Sequence, residues 1–206
     1  MSILIEVSEF ELWFKKNQRL VNQVLIGVLV AGALYSMYSY RHRARLTEAS
    51  ALLAAAETAY DKGDGKTIQD AAGQLKNLYA DTHQASLAVL QLARYQADKQ
   101  QLTESEASAR WVIEHAPMPA FTDQARLHLA QVQIQNKQWD DALSTLKAPF
   151  SEDVFNSTVT ELIADIYAIK GSIAVARSHY QKALAAHPQG NFRRDLIQYK
   201  LNNLTP

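Results

Sequence analysis

Residues 20–40, LVNQVLIGVLVAGALYSMYSY, hold no Asp, Glu, Lys, Arg or His, in a chain that is otherwise one-fifth charged. A helix of that length rises about 31 Å, close to the hydrocarbon thickness of a bilayer. From Val24 to Leu34 every position is apolar or small. A helix buried in a small core would carry polar residues at a 3.6-residue period, so the stretch reads as a membrane span. Ala31-Gly32-Ala33 has the small-x-small form of a signal cleavage site. Glu6, Glu9 and Glu11 upstream, and apolar residues continuing to Tyr40, favour an uncleaved span. Tyr35, Tyr38 and Tyr40 suit an interfacial belt. Lys15, Lys16 and Arg19 on one side balance Arg41, Arg43 and Arg45 on the other, so basic charge leaves the orientation open. Gly27 with Ala31, and Gly32 with Ser36, are small-xxx-small pairs through which a second membrane helix could approach.

Residues 46–206 hold 15 Lys and Arg against 18 Asp and Glu, without the basic stripe of a nucleic-acid-binding surface. The arginines just past the span therefore read as anchors at the lipid headgroups. Cysteine is absent, which removes disulfides, thiolate catalysis and cysteine-based zinc sites but leaves the compartment undecided.

The part after the span shows helical periodicity and no convincing strand. Its strongest signal is a self-match at the 34-residue period of tetratricopeptide repeats. Leu129-Ala130 corresponds to Ile163-Ala164, Trp139 to Ile173, Ala142 to Ala176, and Leu146 to Tyr180. Gly171 marks an inter-helix turn, while Ala183 and Pro188 complete the later unit. An upstream copy with Leu92-Ala93, Leu102, Ser105, Ala109 and Pro117 is offset by 37 residues, which predicts an insertion near PMPAF. A degenerate copy spans about 48–79, turned at DKGDGK. The final FRRDLIQYKLNNL is amphipathic, with Phe192, Leu196, Tyr199 and Leu204 offered to one side, and suits the cap that closes a solenoid. The expected fold is all-α: a tail at 1–19, a transmembrane helix at 20–40, and a tetratricopeptide-repeat-like solenoid with a C-terminal capping helix at 41–206.

No constellation of catalytic groups accompanies this pattern. His42, His83, His115, His128, His179 and His187 lack ligand spacing and read as solvated helix-face residues. Asp140-Asp141 suits a helix N-terminus, Glu152-Asp153 a loop, and DKGDGK lacks the GK[ST] of a phosphate loop. No metal or cofactor is expected, and the chain is not expected to be an enzyme.

FELWFKKNQ before the span, ARLHLAQVQIQNKQWDDAL at 125–143 and YKLNNL at 199–204 together resemble the YfgM family of Gram-negative bacteria. That resemblance implies a single-pass inner-membrane protein with a cytoplasmic tail and a periplasmic repeat domain. It further implies partners in the Sec translocon, the membrane-anchored chaperone PpiD and exported polypeptides. Anchor and repeat alone also fit a membrane-bound regulatory adaptor for a soluble signalling protein. In repeats of this kind the first helix of each unit lines a concave face. Alignment by Ala93, Ala130 and Ala164 assigns that face to Leu90, Arg94 and Asp98; to Gln124, Leu127, Gln131, Ile134 and Gln135; and to Thr158, Glu161, Asp165 and Ile169. Apolar groups there would grip a partner's side chains, and the glutamines would meet its backbone.

Overall fold

The computed structural model describes residues 2–187 and 192–204, the side chains of 2–10 excepted; Pro188 and the side chains of Glu6 and Glu9 therefore lie outside it. The described elements are α1 (Ser2–Lys62), α2 (Gly65–Leu78), α3 (His83–Asp98), α4 (Leu102–His115), α5 (Pro119–Gln135), α6 (Trp139–Lys147), a 3-10 turn at Asp153–Phe155, α7 (Asn156–Ile169), α8 (Ile173–Ala185) and α9 (Phe192–Asn202). Among the described residues there is no strand. The chain divides into two compact units, Met1–Glu48 and Ala49–Pro206.

The first unit is helical. It holds an 18-residue window of mean hydropathy 1.8 in which no residue is buried within the protein. Leu25, Leu29 and Tyr40 are 54%, 71% and 75% exposed, an arrangement stable only where the surroundings are themselves apolar. Around Gly27 and Gly32 there is open space for 4 Å, so their small size serves no packing within this unit.

The second unit repeats one device four times among the described residues. The C-terminal part of α1 shares one core cluster with α2 and α3, and α3 pairs with α4, α5 with α6, and α7 with α8. Each first helix ends on a residue of positive φ: Gly63 (69°), Gln100 (61°), Lys137 (61°) and Gly171 (75°). At each, the left-handed residue donates its N–H to the carbonyl three residues back, Tyr60, Ala97, Ile134 and Ala168, all at 3.0 Å. The next N–H reaches five back, from Asp64 to Ala59 at 2.9 Å and from Gln101, Gln138 and Ser172 to Gln96, Gln133 and Tyr167 at 2.8 Å. Four identical Schellman closures result, satisfying carbonyls a helix end would otherwise orphan. The degenerate copy at 48–79 is thereby a full structural unit. Its spacing from the next unit, Gly63 to Gln100, equals that from Gln100 to Lys137, so the longer period is common to both intervals and not peculiar to PMPAF.

Small residues recur where the helices cross. Ala56, Ala93, Ala130 and Ala164 are each 0% exposed, as are Ala142 and Ala176. Leu146 and Tyr180 fill the next gap at 2% and 3%. Side-chain pairs repeat too: Ser108 Oγ donates to Gln96 Oε1 and Thr145 Oγ1 to Gln133 Oε1, both at 2.8 Å. In the last unit the corresponding rings, Tyr167 and His179, stack at 5.9 Å. Asp64 caps α2, accepting from Thr67 N at 3.2 Å and from Thr67 Oγ1 at 2.6 Å. Those hydrogen bonds, the side-chain one first, hold the Asp64 carboxyl below the ordinary range.

A left-handed backbone suits glycine and strains a residue with a Cβ. Lys137→Gly is therefore expected to raise stability by about 0.5–1 kcal/mol, and Gly171→Ala to lower it by about 1 kcal/mol. Urea unfolding followed by circular dichroism reads both; equal midpoints would mean the turn strain is absorbed elsewhere.

The closing helix packs, but not on the side expected. Ile197 is 0% exposed and, with Leu201 and Leu204, meets Ala164, Ala176, Tyr180 and Ala183. Phe192, Leu196 and Tyr199 are exposed at 83%, 41% and 67%. The apolar set assigned from sequence was therefore mostly the outer face. Ion pairs decide the rotation, because Lys200 and Arg193 flank Ile197 and reach carboxylates on α7.

Candidate functional site

The first helices of the units bring Tyr60, Arg94, Asp98, His128, Gln131 and Gln135 around a cavity of about 330 Å³. Tyr60 Oη donates to Asp98 Oδ2 at 3.4 Å across this cavity. A smaller hollow of about 110 Å³ adjoins it, lined by Glu57, Leu87, Leu90, Gln91, Arg94 and Gln124; Arg94 is common to both. Six of the residues assigned to the concave face thus line two neighbouring hollows: Leu90, Arg94, Asp98, Gln124, Gln131 and Gln135. Arg94, Asp98, Gln131 and Gln135 are exposed, whereas Leu90 is 2% exposed and forms an apolar wall. Leu127 and Ile134 are half-buried against the cluster of Ala130, Ala142 and Leu146. Thr158 is half-buried, and Ile169 is 56% exposed at the last turn of α7.

Glu161 and Asp165 have a different setting. Glu161 is 4% exposed and meets Arg193 at 3.0 Å and Lys200 at 2.8 Å. Asp165 meets Lys200 at 2.8 Å and accepts from Tyr180 Oη at 2.5 Å. Burial disfavours the Lys200 ammonium, but the hydrogen bonds from Asp165 and Glu161 override it and raise its pKa above that of an ordinary lysine. Burial first, then the Asp165 hydrogen bond, pushes the Tyr180 phenol far up, so it stays a donor. In this unit α9 occupies the positions that elsewhere face the cavities. Arg194 Nη1 also donates to the carbonyls of Leu184 at 2.6 Å and His187 at 2.9 Å, fixing that helix further.

His128 is not the solvated helix-face residue its sequence context suggested. It is half-buried, with Nε2 2.9 Å from Ser105 Oγ. The Ser105 hydroxyl donates to Ala93 O at 2.7 Å, so its oxygen accepts and His128 Nε2 carries the hydrogen. Only the repeat register could have signalled this, since Ser105 stands where later units carry Ala142 and Ala176. His187 repeats the arrangement, with Nε2 2.7 Å from Ser157 Oγ. His179 stacks on Tyr167 and His115 on Trp111, the latter at 4.6 Å. Elsewhere a hollow of about 490 Å³ beside Pro117, Pro119 and Phe150 holds the buried Asp123, which accepts from Ser151 N at 2.7 Å and ties the α6–α7 connection to α5.

Burial, with help from Arg94, pushes the His128 pKa down, outweighing the Ala93 hydrogen bond and Asp98. His179 is lowered likewise by burial and then by Lys182. Below about pH 6.5 the unfolded chain takes up protons that the folded chain resists, so stability is expected to fall as pH drops through that value. His128→Gln should flatten this slope between roughly pH 7 and 5 in thermal melts. An unaltered slope would place the linked proton elsewhere.

No group of three or more His, Cys, Asp or Glu side chains is placed to hold a metal ion among the described residues. The arrangement offers a long, mixed apolar and polar face with hydrogen-bonding amides, suited to weak capture of a polypeptide segment.

A family model described as a tetratricopeptide repeat-like domain matches residues 11–206. Relatives similar over nearly their whole length bear the name "Ancillary SecYEG translocon subunit". That of Neisseria gonorrhoeae is 28% identical, covering 97% of this chain and 95% of the relative. Those of Haemophilus influenzae and Aggregatibacter actinomycetemcomitans are 26% and 27% identical, each covering 97% of this chain and 96% of the relative. The resemblance drawn from the sequence is thereby borne out.

Proposed function

The chain belongs to the tetratricopeptide repeat-like domain family, and from that premise we propose that it is a non-enzymatic, membrane-anchored ancillary subunit of the Sec translocon. The observation carrying this reading is similarity across 97% of the chain, apolar segment included, to relatives that bear that name. Repeats of this family present surfaces, and the relatives' name describes an accessory, so both speak for a non-catalytic role. In this reading residues 20–40 cross the inner membrane once, the tail at 1–19 is cytoplasmic, and 41–206 are periplasmic. The small-xxx-small pairs at Gly27 and Ala31, and at Gly32 and Ser36, would then serve a neighbouring membrane helix. The concave positions would take segments of exported polypeptides or of the chaperone PpiD.

Affinity purification of the full chain from gently solubilised membranes tests the reading. Translocon subunits are expected to co-purify, and replacing 20–40 with an unrelated span should reduce their recovery. Absence of translocon subunits with the native span would overturn it. Protease added to intact spheroplasts should remove the repeat domain; protection until lysis would reverse the orientation.

A further inference from the structure

Three large apolar side chains stand outward on a helix that is firmly fixed. Phe192, Leu196 and Tyr199 are exposed, while the opposite face of α9 is held by Ile197 and by ion pairs to Glu161 and Asp165. Their exposure is thus a property of the docked helix. Phe192 and Tyr199 lie one 34-residue period after Thr158 and Asp165, so they occupy in α9 the concave positions of α7. By that register the stripe carries the concave face on from α7, whose Ile169 is also exposed. At the other end of that face the character changes. Glu57 lines one hollow and Asp98 the other, Asp61 lies one 37-residue spacing before Asp98, and all three are exposed; Arg94 is common to both hollows.

We propose that the concave face takes a polypeptide segment in which apolar residues adjoin basic ones, the apolar part seated on the Phe192, Leu196 and Tyr199 stripe and the basic part toward Glu57, Asp61 and Asp98. Large apolar groups in register along one face mark a contact surface for matching side chains. The surplus of carboxylates selects the sign of the other end. A lipid surface fits less well, because the stripe belongs to the same face as those carboxylates, which repel anionic headgroups. The proposal rests on the reading of the repeats as a binding scaffold but not on the translocon. Peptide binding with no translocon recovery would separate the two.

The probe is a fluorescein-labelled peptide with leucines and phenylalanines at one end and lysines at the other, titrated by anisotropy against the full chain in detergent. Phe192→Ser with Tyr199→Ser is expected to weaken binding by about tenfold or more, with helicity unchanged. Glu57→Gln with Asp61→Asn and Asp98→Asn should weaken it and flatten its salt dependence. A peptide with glutamates in place of the lysines should fail to bind. Unchanged affinity in the serine variant, or equal binding of the glutamate peptide, would overturn the proposal. Phe192→Trp reconstituted in brominated lipid supplies an independent reading. Its added emission should escape quenching and shift to the blue when the peptide binds. Strong quenching would assign the stripe to lipid instead.

Discussion

Ile197→Ala is expected to destabilise the repeat domain by about 2–5 kcal/mol, the range for removing a large aliphatic side chain from a closed site. Ile197 is 0% exposed and sits among Ala164, Ala176, Tyr180 and Ala183. Those neighbours are mostly alanines with no side-chain length to collapse into the gap. In a stack of repeats, each unit is stabilised by itself and by its immediate neighbours, so the loss should be local. Hydrogen exchange should quicken in α8 and α9 and change little in α3. The adjacent Leu196→Ala is the control. Leu196 is 41% exposed, so its loss should cost well under about 1 kcal/mol. If the two substitutions cost the same, α9 is docked on the wrong face.

Lys200→Met should cost about 2–3 kcal/mol, below the roughly 3–5 of a fully buried pair, because Lys200 retains 28% exposure and Arg193 stays on Glu161. The cost arises on the acidic side. Glu161 is 5% exposed at its side chain and Asp165 22%, and both would lose a cation that water replaces poorly. Adding Glu161→Gln to Lys200→Met should recover part of the loss, since the buried charge goes with its partner. Urea unfolding of single and double variants measures the difference. A double variant less stable than the single one would show that Arg193 alone compensates the Glu161 carboxylate once Lys200 is gone. Because the Lys200 pKa is raised, this stabilisation is fully present at neutral pH. It is lost only as pH rises through values above those of an ordinary lysine.

Much of the site was legible because the repeat fixes it. Once Ala93, Ala130 and Ala164 were aligned, Arg94, Asp98, Gln131 and Gln135 followed as concave positions, and they line one cavity. Tyr60 and Glu57 were missed. Where the later unit carries Leu129, Trp139 and Leu146, theirs carries Ala55, Gly65 and Ala72, and its helix is the tail of α1 with no start signal of its own. The turns at Gln100 and Lys137 were invisible because neither residue is glycine, although each adopts the glycine-like backbone of Gly63 and Gly171. His128 lacked a local signal as well, since its partner Ser105 is 23 residues away and in a different helix.

Local periodicity by itself determined the all-helical class, the repeat register and the apolar 20–40 segment, because each depends only on which side chains recur along a single helix. It could not orient α9. Phe192, Leu196 and Tyr199 have the same spacing as Ile197, Leu201 and Leu204, so either set makes an amphipathic face. The tertiary structure chose between them through Glu161 and Asp165, distant in sequence, which draw Lys200 and Arg193 inward and carry Ile197 with them. Charge pairing across helices, unlike periodicity within one, exists only after the chain has folded.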